Sequence, residues 1–503
     1  MSDGNLYGQL ERSFLAAGGR TALAGSDGTV LLTYDGLREG VGRYANALAA
    51  LGVEPGERVT VQAEKSLAGV LLYLAVLKAG GVYQPLNTAY TETEVDYVVG
   101  DASPKLIVCD PARQQSMRGL ADRHGVFAVI NLDSDGTGTL ADLAAQMDTR
   151  HETVARGSDD LAGLLYTSGT TGRSKGAMIS HGNLLSNAAT LVDLWRITAD
   201  DVLLHALPVF HVHGLFVALN TCFLAGASII WFEKFDAASL IAAMPRASLM
   251  MGVPTFYTRL LATPGFGPEA ARAMRLFISG SAPLLAETHE QFRIRTNHAI
   301  LERYGMTETG MITSNPYDGE RQPGSVGFAL PGVAVRIRGA QPGVLEVKGP
   351  NVFRGYWRMP EKTAEDFTAD GYFVTGDVGT IDANGRVTIV GRAKDLIISG
   401  GFNVYPKEVE DVLDSLPGVA ESAVVGVPHP DFGEAVIAIV TAKSDGLSES
   451  EMIATAARHL AKFKVPKRIF TVSELPRNAM GKVQKAELRK TYGGTFKAGT
   501  LPD

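Results

Sequence analysis

Between Val202 and Phe232 the chain carries no formally charged residue, a run of 31 positions that must be withdrawn from water wherever it goes. A run of that length could cross a bilayer, since about 20 apolar residues span the hydrocarbon core. Its interior argues otherwise: His205, Pro208, His211, His213 and Asn220 are polar or helix-breaking, and Gly214 and Gly226 interrupt it. Such positions suit a strand, loop, helix and strand packed inside a large domain. The run therefore demands a deep core, and 503 residues are enough to build more than one.

The flanking sequence supplies the material for that core. LREGVGRYANALAALG places Val41, Tyr44, Ala45, Leu48 and Leu51 at helical spacing, and RVTVQAE follows as a short strand. Strand-like runs recur at LIVCD, SIIWF, SLMMGVP and RLFISG with helical stretches between several of them, which predicts a layered α/β domain. After about residue 330 the pattern changes to short β runs, VAVRIR, VLEVKG and RVTIVGR, separated by turns such as Asn384-Gly385; these predict an antiparallel β subdomain. A helix opening at Pro406, followed by SAVVGV and AVIAIVTA, predicts a separate small α+β unit. The expected division is 1–393 and 394–503.

Charge excludes some classes of partner. A net charge of -7, from 47 basic and 54 acidic residues interspersed along the chain, offers no basic face for a nucleic-acid backbone. Cys109 and Cys222 lie in apolar contexts without metal-ligand spacing and read as buried thiols in a reducing compartment. The opening residues MSDGNLYGQLERSFLAAGG show no basic leader with an apolar core, which predicts a cytoplasmic protein without a membrane partner.

The most informative segment is YTSGTTGRSKG, from Tyr166 to Gly176, where Thr167, Ser168, Thr170 and Thr171 alternate with glycines such as Gly169 ahead of Lys175. Glycines let backbone N–H groups curl around an anion, hydroxyls donate to its oxygens, and a lysine neutralises charge, so the loop suits a triphosphate. A Walker A loop would place lysine directly after the second glycine; here Arg173 and Ser174 intervene, and the ordinary P-loop ATPase reading fails.

Further motifs follow in order: ERYGMTET from Glu302 to Thr309, TGD from Thr375 to Asp377, GRAKDLIISGGFNVYP from Gly391, and LPRNAMGKVQK ending at Lys485. With the phosphate loop they make the chain resemble the adenylate-forming superfamily of acyl-CoA synthetases, adenylation domains and luciferases. That resemblance implies ATP and coenzyme A as substrates and Mg²⁺ as cofactor. It implies that Tyr304, Gly305 and Thr307 hold the nucleotide, that Glu308 holds the metal, and that Asp377, with Arg392, takes the ribose. Lys482 becomes the catalytic cation of adenylation, Lys394 a hinge about which a mobile C-terminal domain turns, and Gly400 and Gly401 the lining of the coenzyme A path.

A dicarboxylate needs a cation for its non-reacting end. Arg259 and Arg303 are the candidates for a clamp; the alternative for Arg303 is an ion pair with Glu302. Segments such as HALPVFHVHGLF, VPTFYTRL, FISGSAPL and VKGPNVFRGYWRMPEKT resemble the bacterial malonyl-CoA synthetase subfamily, which implies malonate or methylmalonate as the acid, seated by His211, Ser281 and Met306 with the arginines. Val212 stands where some of that subfamily carry threonine, which leaves the choice between the two acids open. Another small-acid CoA synthetase and a carrier-loading adenylation enzyme are the alternatives. Oligomeric state is not legible.

Overall fold

The computed structural model describes residues 4–167, 174–443, 446, 448–478 and 481–496. Two large sheets make the main body. One has six strands in the order Ala128–Asn131, Leu106–Cys109, Arg58–Gln62, Val82–Pro85, Leu161–Thr167 and Lys175–Ser180. Only the last pairing is antiparallel.

The other sheet has nine strands, in the order Phe328–Ala329, Gly310–Ser314, Leu301–Met306, Leu276–Ser279, Leu249–Gly252, Val202–His205, Ser228–Trp231, Thr21–Ala24 and Val30–Thr33. Its interior pairings are parallel and its edges antiparallel. Leu249–Gly252 and Leu276–Ser279 are buried at every position, as parallel strands covered on both faces must be.

The charge-free run supplies two adjacent parallel strands of this sheet and the segment between them, a π-helical stretch His213–Leu219 continuing into the helix Asn220–Ala225. Every residue of the π-helical stretch is buried. Polar side chains in the run find partners inside: Asn220 Oδ1 accepts from the Tyr73 hydroxyl at 3.0 Å, and Thr221 Oγ1 donates to the Val217 carbonyl at 2.7 Å. Among the described residues no helix is long and apolar enough to cross a membrane.

The glycine-punctuated segment after residue 330 forms the expected antiparallel sheet, Ala334–Arg338, Gly343–Lys348, Phe373–Ile381 and Val387–Arg392, each paired with the next. Gly385 turns the last hairpin at φ 87°. Beyond a short turn, Ala393–Asp395, strands belong to a different sheet: Ile397–Ser399, Phe402–Val404, Val419–His429, Gly433–Ala442 and Arg468–Val472. The helix Pro406–Asp414 buries Val409 and Leu413 against it, with proline at the first turn where its missing N–H costs nothing. This α+β unit touches the main body through Lys443, whose ammonium lies 2.9 Å from Glu287, and through Gly481, where an added Cβ would meet Thr255 Oγ1 at 3.3 Å.

Candidate active site

One part of the group is assembled from strand ends. Thr167 and Lys175 pair across antiparallel strands, so the two ends of the Ser/Thr/Gly segment are held side by side. Ser168, Gly169, Thr170 and Thr171 lie outside the described residues. The Lys175 ammonium sits 4.1 Å above the Tyr356 ring and 3.6 Å from Asp366. The Tyr356 hydroxyl in turn donates to Glu308 Oε1 at 3.1 Å. Burial pushes the Glu308 pKa up, partly offset by the Tyr356 hydrogen bond and the Lys175 charge. A buried carboxylate held in this way gains from a cation.

Asp377 and Arg392 are cross-strand partners in the antiparallel sheet, and Arg392 Nε lies 2.7 Å from Asp377 Oδ1. The Tyr304 hydroxyl donates to the other carboxylate oxygen. Register alone thus turns TGD and GR, separate in sequence, into one group. Burial would lower the Arg392 pKa, but Asp377 and neighbouring anions hold it above the ordinary value. Gly305 lies at a register shift beside Tyr304, and an added Cβ there would fall 2.2 Å from the Gly310 carbonyl; only glycine lets this hairpin close. Thr307 occupies the turn at its tip.

Lys482 enters from the small α+β unit. It keeps solvent contact yet is ringed by protein charges, and desolvation together with the Arg392 cation lowers its pKa to about 8. Burial pushes the His211 pKa down to about 4, and the Arg303 and Lys482 cations add to that shift. His211 is therefore neutral at physiological pH.

Arg303, on the strand Leu301–Met306, is 4% exposed, and no carboxylate among the described residues pairs with it. Its Nε and Nη2 are buried without a hydrogen-bond partner, as is His213 Nε2. Burial brings the Arg303 pKa down to about 9. The ion pair with Glu302 does not form: successive strand residues point to opposite faces, and Glu302 Oε1 instead accepts from the Gly324 N–H at 3.2 Å. Ser281 sits at φ 72°, rare for a residue with a Cβ, and its hydroxyl lies 3.2 Å from His213 Nδ1. Met306 ends the strand that bears Arg303, and Val212 is buried at the start of the π-helical stretch. Arg259 lies on the helix Pro254–Ala262, whose buried positions are Tyr257 and Leu260; it is exposed, with its guanidinium 5.9 Å from the Phe235 ring.

Lys394 is exposed in the turn Ala393–Asp395. Gly400 and Gly401, at φ 58° and 84°, form a two-residue hairpin loop between paired Ser399 and Phe402, the geometry that favours glycine at both places. Sequence reading missed Tyr356 and His213. Tyr356 was visible only as one aromatic in a long motif, and nothing in the sequence linked it to Glu308.

Residues 10–357 match the AMP-binding enzyme family, and residues 408–482 match the AMP-binding enzyme C-terminal domain. The ATP-bound crystal structure of MatB from Rhodopseudomonas palustris superposes with a TM-score of 0.95 at 53% identity, over 98% of this chain and 100% of that one. The apo crystal structure of MatB covers the same shares at the same 53% identity but with a TM-score of 0.84. The chain is 35% identical over 490 residues to the malonate–CoA ligase of Arabidopsis thaliana, covering 90% of this chain and 80% of that protein. It is 34% identical over 489 residues to a feruloyl-CoA synthase of Amycolatopsis, covering 94% and 96%.

Proposed function

Because the chain belongs to the AMP-binding enzyme family, we propose that it is an AMP-forming malonate–CoA ligase, taking malonate or methylmalonate, ATP and coenzyme A. The observation that carries the choice of acid is Arg303, a buried guanidinium with two donors uncommitted and no anion among the described residues to pair with it. A buried cation left so is costly unless a ligand supplies the charge, and a dicarboxylate's second carboxylate does. The Arabidopsis relative, a malonate–CoA ligase, agrees with that reading, and the ATP-bound form of MatB agrees with ATP as a substrate.

In the first step a carboxylate oxygen of the acid attacks the α-phosphorus of ATP, a P–O bond forms, and the bond to the β-phosphate oxygen breaks to release pyrophosphate. Lys482 stabilises the charge shared between the attacking carboxylate and the α-phosphate. Asp377 exchanges its present partners for the ribose hydroxyls, with Arg392 beside it. Lys175 and the loop of Thr167, Ser168, Gly169, Thr170 and Thr171 hold the outgoing phosphates. Tyr304, Gly305 and Thr307 line the nucleotide, and Arg303 with neutral His211, Ser281 and Met306 seats the acid. Glu308 would hold Mg²⁺, and the bound ion would neutralise phosphate charge during adenylation.

In the second step the thiol sulfur of coenzyme A attacks the acyl carbon and AMP leaves. We assign residues 394–503 to a unit that turns about Lys394 between the steps, bringing the bare Gly400-Gly401 turn to the thiol's path. Pyrophosphate release with ATP, Mg²⁺ and coenzyme A, compared across malonate, methylmalonate, acetate and propionate, tests the acid. Strong turnover of malonate or methylmalonate with weak turnover of acetate is expected; preference for a monocarboxylate would overturn the assignment of Arg303 and leave the enzyme class standing.

A further inference from the structure

Gly280 follows the strand Leu276–Ser279, and Ser281 comes next. Of the two it is the serine that adopts the left-handed backbone, at φ 72°, whereas Gly280 is not among the glycines with positive φ. The backbone at 280 is therefore open to residues with a side chain. What glycine supplies there is space. A Cβ at Gly280 would fall 2.5 Å from both Cζ and Nη1 of Arg303 and 2.7 Å from its Nε, and these are the three nearest heavy atoms. The neighbouring parallel strands explain the proximity: Ser279 is in register with Glu302, which brings Gly280 alongside Arg303.

We propose that Gly280 is a specificity-determining residue, whose missing side chain gives the Arg303 guanidinium its berth against the backbone and so fixes the selectivity for a dicarboxylate. The inference rests on the reading of Arg303 as the seat of the second carboxylate. Carbon atoms rest about 3.5 Å or more apart, so a methyl group at 280 displaces the guanidinium by about 1 Å. A misplacement of that size in a binding group costs up to about a hundredfold in turnover.

The test is a cycle of Gly280→Ala, Arg303→Ala and the double variant, with kcat/KM measured for malonate and propionate and KM for ATP alongside. Gly280→Ala is expected to lower the malonate value by about tenfold or more while propionate and ATP change little, and to add no further loss in the Arg303→Ala background. An equal loss for both acids, or the same loss in both backgrounds, would overturn the proposal by showing that the methyl disturbs the backbone rather than the guanidinium. If Gly280→Ala alone is too unstable to purify, recovery of folding in the double variant supports the clash and continued misfolding overturns it. An unchanged malonate-to-propionate ratio in Arg303→Ala would instead sink the assignment of Arg303 itself, and the proposal with it.

Discussion

Among the described residues two cations, Lys65 and Arg303, are buried in the main body without a pairing carboxylate, and they differ in what surrounds their donors. Lys65 contacts His205 Nδ1 at 2.9 Å and donates to the carbonyls of His205 and Phe232 at 3.0 and 2.6 Å, with the Trp231 ring 4.1 Å below. Its partner His205 places Nε2 2.8 Å from the Gly214 carbonyl, so Nδ1 is free to accept. All three ammonium protons are used, and the cation ties the end of one sheet to the other. Arg303 is as deeply buried but keeps Nε and Nη2 uncommitted. The burial of a charge does not mark a site; an unmet hydrogen-bonding demand beside it does.

Lys482 offers the sharpest contrast to both, as a cation reaching the site from outside and still wet. Lys482→Ala should reduce pyrophosphate release by on the order of 10²–10³ or more, while transfer from preformed adenylate to coenzyme A survives. Equal loss of the two half-reactions would erase the distinction between a cation that enters and one that is built in. With a pKa lowered to about 8, Lys482 is charged below that pH and loses its proton above it, so kcat/KM for adenylation should fall as pH rises through about 8. Lys482→Arg should remove that limb.

Next in size is Arg303→Met. Loss of a buried charge partner costs roughly 3–5 kcal/mol, which predicts a drop of about two to nearly four orders of magnitude in kcat/KM for malonate. Its thermal midpoint should equal or exceed that of the parent, since the unliganded protein no longer buries an uncommitted cation. Lys65→Met should do the reverse: it leaves His205 Nδ1 and two carbonyls without a donor, at roughly 1–3 kcal/mol for a buried orphan. A lower melting temperature with an unchanged malonate-to-propionate ratio is the expected result. If Lys65→Met altered acid preference and Arg303→Met altered only stability, the two cations would have exchanged roles.

Much of this architecture could be read from the chain. The charge-free run folded into the strand, helix and strand that its polar interruptions required, and Pro406 opened a helix where proline is tolerated. Ala334–Arg338 with Gly343–Lys348, and Phe373–Ile381 with Val387–Arg392, became antiparallel hairpins because each partner follows within a few residues, while a longer connection carrying the helix Pro360–Glu365 joins the two pairs. The sequence did not show which strands of the α/β body would lie side by side. Thr21–Ala24 pairs with Ser228–Trp231, and nothing in either strand names its neighbour. Nor did the sequence show the helical phase that buries Tyr257 and Leu260 and leaves Arg259 exposed.

What the sequence determined by itself is therefore the chemistry available and its local frame: the hydroxyl and glycine loop, the carboxylates, the lysine near the far end, and the periodicity that assigns each to a strand end or turn. What only the tertiary structure decided is which of these groups are left unsatisfied. Glu302 and Arg303 are adjacent in the chain, yet the strand sends one to the Gly324 N–H and the other to a place where no partner waits. Hydrogen-bond satisfaction is a property of the packed interior, where water is absent and partners arrive from distant strands, so no local reading of the chain can supply it.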